Sequence, residues 1–398
     1  MRAAPGILLA AVLVGFAPAA AAAQQAQPQL KTLSDVLSFL LTNRAVQTDD
    51  FVRDAAAAEA TRATVSTLLL AELATQPPSL SSVGLAYRFN PTLGTVERAS
   101  ASFGSFFTER SLTAGRGQSA LGVSFRAASY QRLDGRDLRD GTFVTTANQF
   151  RDETRPFDDE KLTLRLDSRV LTFTGTFGVT DRLDLSTAVP VVFISMSGSR
   201  LNTYRGAQQV QATATATTSG LGDVAVRAKY ALVAAAGGGV AVAGELRLPT
   251  GRTEDLIGIG KTAFSGLVIG SAERGPVGIH GNLSVAGGGL SSEVDYRGAL
   301  TFSATDRVTL VGELIGRRIA DAGRLTDARM PHPTIAGVDT IRLITEDTSL
   351  ASGAAVLGAK WNVARTWILS AHVQLPVTDG GLRSGPVTLV GLDYAFGQ

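Results

Sequence analysis

Strict period-two alternation, with charge confined to one of the two faces, constrains this chain more than any other feature. From Leu171 to Ser195 two alternating runs flank the polar turn Gly178-Val-Thr-Asp-Arg182. Leu171, Phe173 and Phe177 share a face with Gly175, and Thr172, Thr174 and Thr176 take the other. After the turn, Leu183, Leu185, Val189, Val191 and Phe193 share a face with Thr187, opposed by Asp184, Ser186 and Ala188. A repeat of two is a strand, and two such runs around a polar turn are a hairpin. The apolar face is as continuous as a core face, yet its back is polar and charged. A sheet with hydrocarbon on one side and water on the other has that pattern.

Similar runs fill the chain from Ser119 onward, at 119–130, 161–177, 182–196, 222–234, 238–249, 261–271, 276–286, 293–303, 306–318, 351–362, 365–376 and 386–396. Their connections alternate in length. The longer, polar ones are 131–160, 197–221, 250–260, 287–292, 319–350 and 377–385, and tight turns such as Glu273-Arg-Gly275 lie between them. Sorting of loops by parity, with both ends of the sheet on the tight-turn side, is the arrangement of an outer-membrane barrel. One run breaks parity. Leu162, Leu164 and Leu166 are even, whereas Leu171, Phe173 and Phe177 are odd. A bulge near Val170, or a strand projecting beyond the membrane, reconciles them.

The faces assign candidate lumen residues. Arg227 and Lys229 oppose Val226 and Tyr230, and Glu245 and Arg247 oppose Leu246 and Leu248. His280 opposes Ile279 and Leu283, while Glu293, Asp295 and Arg297 oppose Val294 and Tyr296. His372 opposes Trp367 and Val373, and Asp393 opposes Leu392 and Tyr394. A charge on the hydrocarbon side costs about 2–4 kcal/mol at the midplane, so the rarity of charge on one face decides which side points in.

Residues 1–23 read as a secretion signal: Arg2, an apolar core from Ile7 to Ala17, and Ala21-Ala22-Ala23 before Gln24. Residues 24–80 differ from the rest. Thr32-Leu-Ser-Asp35 has the form of a capping box, and the Ala-rich stretch Phe51–Leu73 favours helix up to Pro77-Pro78. This segment is either a helical N-terminal extension or a plug at the barrel mouth, ahead of a barrel over 81–398. Val83–Phe107 is a possible additional hairpin around Asn90–Gly94.

Composition and motifs exclude several classes. Cysteine is absent, which removes disulfides, thiolate metal sites and cysteine nucleophiles. The formal charge is +2 with no focused basic run, so nucleic acid is not an expected partner. Gly258-Ile-Gly-Lys-Thr262 lacks the earlier glycine of a phosphate loop, since position 255 is Asp255. The three histidines are not clustered, and no nucleophile elbow surrounds Ser195.

Three stretches carry a family resemblance. Ser219-Gly-Leu-Gly-Asp-Val-Ala-Val-Arg-Ala-Lys-Tyr230 is followed by Leu246-Arg-Leu-Pro-Thr-Gly251. With them stand Gly178–Pro190 and Ser102-Phe-Gly-Ser-Phe-Phe-Thr-Glu-Arg-Ser-Leu-Thr-Ala-Gly-Arg-Gly117. Together, from about residue 100 to the end, these turn and strand signatures resemble the outer-membrane barrels grouped as the MetA-pathway phenol-degradation family. The resemblance implies an outer-membrane barrel, sometimes linked to breakdown of aromatic compounds, and no site residues.

The expectation is therefore an all-β, transmembrane antiparallel up-and-down β-barrel in an outer membrane. It has about twelve strands, fourteen being the other count, and an α-helical N-terminal extension. The expected role is passive passage of small solutes, with aromatic or hydrophobic ones resting on the resemblance alone. The alternatives are a structural or surface-binding barrel acting through its long loops, then an outer-membrane hydrolase. Outer-membrane lipid and lipopolysaccharide are the expected surroundings, and neither a cofactor nor an enzymatic role is expected.

Overall fold

The computed structural model describes residues 30–41, 51–75, 87–90, 95–98, 100–235, 237–364 and 366–397. The signal expected at 1–23 and Pro77-Pro78 lie outside the described residues.

Among the described residues, twelve antiparallel strands close into one barrel. They are β1 Gln118–Leu133, β2 Asp158–Gly178, β3 Leu183–Tyr204, β4 Val224–Ala235, β5 Gly238–Leu248 and β6 Ala263–Arg274, followed by β7 Val277–Gly287, β8 Glu293–Thr305, β9 Val308–Ile319, β10 Leu350–Ala364, β11 Trp367–Pro376 and β12 Val387–Gly397. Each pairs with the next, and β12 closes on β1 with Leu392 opposite Val123 and Tyr394 opposite Leu121. The opening hairpin has Phe173 opposite Val189 and Phe177 opposite Leu185. Closure leaves no bare backbone edge around the barrel wall, the condition for lying in hydrocarbon.

The outer surface is a belt of large apolar side chains. Leu314, Leu357 and Ile279 are 66%, 62% and 60% exposed, and Leu121, Phe173, Leu185 and Leu300 belong to the same belt. An apolar surface this continuous is a lipid-facing surface. Near the tight-turn rim, Trp367 stacks on Tyr394 with ring centroids 4.6 Å apart, and Tyr394 on Phe396 at 5.7 Å. Such rings suit the level of the headgroups. The chain is a transmembrane barrel of the outer membrane.

No bulge interrupts β2. Its register with β3 runs unshifted from Asp158 opposite Tyr204 to Gly178 opposite Asp184. The parity break has a different cause. β2 is 21 residues long, about twice the 9–11 that cross the hydrocarbon. Its upper part therefore rises beyond the membrane. Leu162, Leu164 and Leu166 there point inward onto other apolar side chains and are buried.

The long connections build an upper wall. The strand 207–221 pairs with the top of β3, Leu221 opposite Val191, and β4 takes over below with Ala225 opposite Ala188. Gly222 and Asp223 form the step between them. The strand 338–346 pairs both with 324–331 and with 143–150, so the two longest loops share a sheet.

Two helices lie inside the upper half of the barrel. α1 Leu33–Leu41 begins at a reciprocal cap: Asp35 N donates to Thr32 Oγ1 at 3.1 Å, and Thr32 N donates to Asp35 Oδ2 at 3.0 Å. Val36, Leu37 and Leu40 are fully buried, in one cluster with Leu164, Ile194 and Met196 from the wall. α2 Phe51–Leu73 adds Val65, Leu68 and Leu69 to that cluster. Tyr87–Asn90 and Thr95–Arg98 pair as a two-stranded sheet separate from the barrel sheet. Residues 100–117 then enter the lower half of the lumen before β1 begins.

Candidate functional site

The lumen is filled at two levels, and each filling is held by charged side chains from the wall. In the lower half, the Glu313 carboxylate on β9 accepts from the backbone N–H groups of Phe106, Phe107 and Thr108, the last two at 3.1 Å. The Lys360 ammonium on β10 donates to Ser105 O at 2.6 Å. The Asp184 carboxylate on β3 accepts from Ala114 N at 3.0 Å. Arg110 folds back on its own segment, donating to Ser100 Oγ at 2.9 Å and Ser102 O at 3.0 Å, with Glu273 of β6 at 3.5 Å. Charged groups buried this far are tolerated only when paired. The segment has neither helix nor strand, so wall side chains satisfy many of its backbone groups.

In the upper half, wall arginines meet the carboxyl ends of both helices. Arg200 donates to Phe39 O and Leu40 O of α1, each at 3.0 Å. Arg317 donates to Ala71 O of α2 at 2.9 Å and to Thr75 Oγ1 at 2.6 Å, and Arg247 donates to Ala74 O at 3.0 Å. Arg126 lies 3.6 Å from Glu72. The last carbonyls of a helix lack intrahelical partners and carry partial negative charge, so cations stabilise that end. Along its length α2 touches the upper wall through Thr61, which donates to Leu343 O at 3.1 Å, and Thr64, whose Oγ1 is 2.7 Å from Thr345 Oγ1.

The structure gathers seven of the ten lumen candidates into a charged network of two groups, one around Arg227 and Glu245 and one around Glu293, Asp295 and Arg297. Arg227 is ion-paired with Glu245 and with Glu109 of the inner segment, and Lys229 sits 3.7 Å from Asp184 and 3.8 Å from Glu109. Arg247 lies 3.6 Å from Glu245, and Arg317 pairs with Glu293 at 2.9 Å. Asp295 accepts from Ser284 Oγ at 3.1 Å, and Arg297 donates to Phe107 O at 3.2 Å. The other three lie apart from this network. His280 is within 3.1 Å of Ser271 Oγ, His372 packs against the rings of Phe106 and Phe107 at 4.3 and 5.2 Å, and Asp393 is half-buried opposite Ile368.

Sequence reading put Asp184 on the polar face and missed Glu109, Arg110, Arg126, Glu313, Arg317 and Lys360 as lumen groups. Four of these share the inward parity of their strands, so the face assignment extended to β1, β9 and β10 finds them. Glu109 and Arg110 have no periodic signal. Two cavities flank the end of α2, of about 70 and 80 Å³. At roughly 30 Å³ per water, each holds a few solvent molecules.

No known protein family and no curated protein matches the chain. Solved structures do. An outer membrane channel from Pseudomonas putida F1 is similar over 72% of this chain and 97% of that one, at 14% identity and a TM-score of 0.45. A Pseudomonas aeruginosa FadL homologue aligns over 80% and 97% of the two chains, at 10% identity and a TM-score of 0.31. The translocator domain of the autotransporter NalP from Neisseria meningitidis aligns over 71% and 89%, at 11% identity and a TM-score of 0.30.

Proposed function

We propose that the protein is a channel for passive passage of small solutes, with residues 24–80 as its plug and the charged wall setting which solutes pass. One observation carries this reading. The wall is hydrogen-bonded to itself all the way round, while α2 is held by side-chain hydrogen bonds at its carboxyl end and along one side and by the apolar packing of Val65, Leu68 and Leu69. The filling is therefore separable from the wall: shifting α2 opens no seam in the sheet. Glu245, Arg247, Glu293 and Asp295 then line the freed passage and act on passing charge, while Arg227, Lys229, Arg297 and His372 stay engaged with residues 100–117 below it. A preference for aromatic solutes follows from the family resemblance alone. On the same reading the outer leaflet around the upper belt is lipopolysaccharide.

Planar-bilayer recording of the purified chain tests the proposal, with and without residues 24–80. Removal of the segment is expected to raise conductance. Absence of both conductance and solute flux in the two forms overturns the channel reading.

A further inference from the structure

We infer that the middle of the lumen is a binding site for a small carboxylate with an apolar body, occupied in this structure by the carboxyl end of α2. The inference rests on the channel reading and names the class of solute that the passage takes.

The charge balance of the wall comes first. Around the end of α2, Arg126, Arg227, Arg247, Arg297 and Arg317 stand against Glu245, Glu293, Asp295 and Asp223, five cations against four anions. The missing negative charge comes from the filling. Glu109 pairs with Arg227 and Glu72 with Arg126, while the carbonyls of Ala71 and Ala74 take Arg317 and Arg247. Buried guanidinium groups cannot be left without a counter-charge. When the end of α2 withdraws, Glu109 stays with Arg227, Arg247 keeps Glu245 and Arg317 keeps Glu293, and it is Arg126 that loses its acid and has to be answered by another anion.

Arg126 shows where. Its Nε and Nη2 are buried without a hydrogen-bond partner, and its contact with Glu72 at 3.6 Å is longer than a hydrogen bond. A planar, two-oxygen anion matches a guanidinium better than that contact does.

The apolar half of the site lies beside it. The cavity of about 80 Å³ is walled by Arg126 and Arg247 and by Phe107, Val170, Val192, Ile257 and Leu389. That volume is about half the ~150 Å³ of a cavity that holds benzene, so a body of a few carbons suits it. A neutral solute of the same shape leaves Arg126 unanswered. A small inorganic anion leaves the apolar wall unfilled. Because the solute and α2 use the same arginines, each weakens the hold of the other, and binding shifts the population toward the unplugged barrel.

Equilibrium dialysis of the detergent-solubilised full chain against radiolabelled isovalerate tests the site, with isovaleramide as the uncharged competitor. Saturable binding is expected, resistant to isovaleramide, and at least tenfold weaker in Arg126→Gln/Arg247→Gln. Folding of the variant is checked by its heat-dependent gel mobility. Glu72→Gln removes the acid that competes for Arg126 and is expected to tighten isovalerate several-fold. No saturable binding, equal competition by isovaleramide, undiminished affinity in a folded double variant, or unchanged or weaker affinity in Glu72→Gln each overturns the inference. Bilayer recording of the same preparation separates the two claims. Conductance without isovalerate binding removes this site and leaves the channel, and binding without conductance removes the channel and leaves the site.

Discussion

A single outward side chain shows how strictly each strand position is set. Leu300 on β8 stands opposite Ile279 of β7 and Gly312 of β9 on the lipid face. Leu300→Arg puts a guanidinium among hydrocarbon, and a loss of about 2–4 kcal/mol is expected if the site lies near the midplane. Urea unfolding from liposomes measures it; a loss below 0.5 kcal/mol, on the order of a surface substitution, contradicts the belt assignment. Gly178 marks the opposite constraint. A methyl group there collides with Gly115 O of the inner segment, backbone against backbone. Gly178→Ala is expected to unseat residues 113–117, read as faster amide exchange at Gly117, whose N–H donates to Gly178 O at 2.8 Å. Unchanged protection at Gly117 contradicts the close approach. At this scale the sequence was most legible, because a period of two separates faces wherever hydrocarbon lies on one of them. Leu162, Leu164 and Leu166 misled that reading. Their inward face is apolar because it packs on helices, and no local signal reports what a lumen contains.

At the scale of elements, the turns and strands were readable and the filling was not. The capping box at Thr32 and Asp35 announced α1, and the Ala-rich run announced α2. Neither pattern says what those helices pack against, since Leu68 and Leu69 look alike in a plug and in a free extension. The inner segment 100–117 was harder still. It has no periodicity, and wall side chains such as Glu313 and Lys360, 200 or more positions away, satisfy its backbone. The contact between Thr64 and Thr345 gives a test of whether α2 must move. The chain has no cysteine, so Thr64→Cys/Thr345→Cys introduces one bridgeable pair where the oxygens now sit 2.7 Å apart. Oxidation is expected to lower single-channel conductance at least several-fold, with recovery on reduction. Conductance indifferent to the bridge means that α2 stays in place while solutes pass.

The cap adds a pH dependence at the same scale. Hydrogen bonds from the Thr32 side chain and backbone hold the Asp35 carboxyl below its ordinary value of 3.8. A depressed value in the folded state contributes stability that is present above the ordinary value and lost as pH falls through the lowered one. Exchange protection over 33–41 is therefore expected to weaken below about pH 4, and Asp35→Asn to flatten that change. A pH-independent profile in the unsubstituted chain contradicts it.

For the whole molecule, closure is the property on which the rest depends. A sheet without edges resists detergent, because opening it exposes a complete row of backbone donors and acceptors. The unheated protein is expected to run ahead of the boiled one on a denaturing gel, and identical mobility contradicts a closed wall. The loop-length parity of the sequence anticipated this closure, since a strand order in which every neighbour is also the next in the chain needs only hairpins.

Residue 117 passes straight into β1, and β1 is one lip of the seam that β12 seals. The stuffing is thus tied to the last join of the container. A cork chained to the bottle's seam cannot be lost even when it is drawn, so residues 100–117 stay anchored at their carboxyl end whatever loosens Glu313, Lys360 or Asp184.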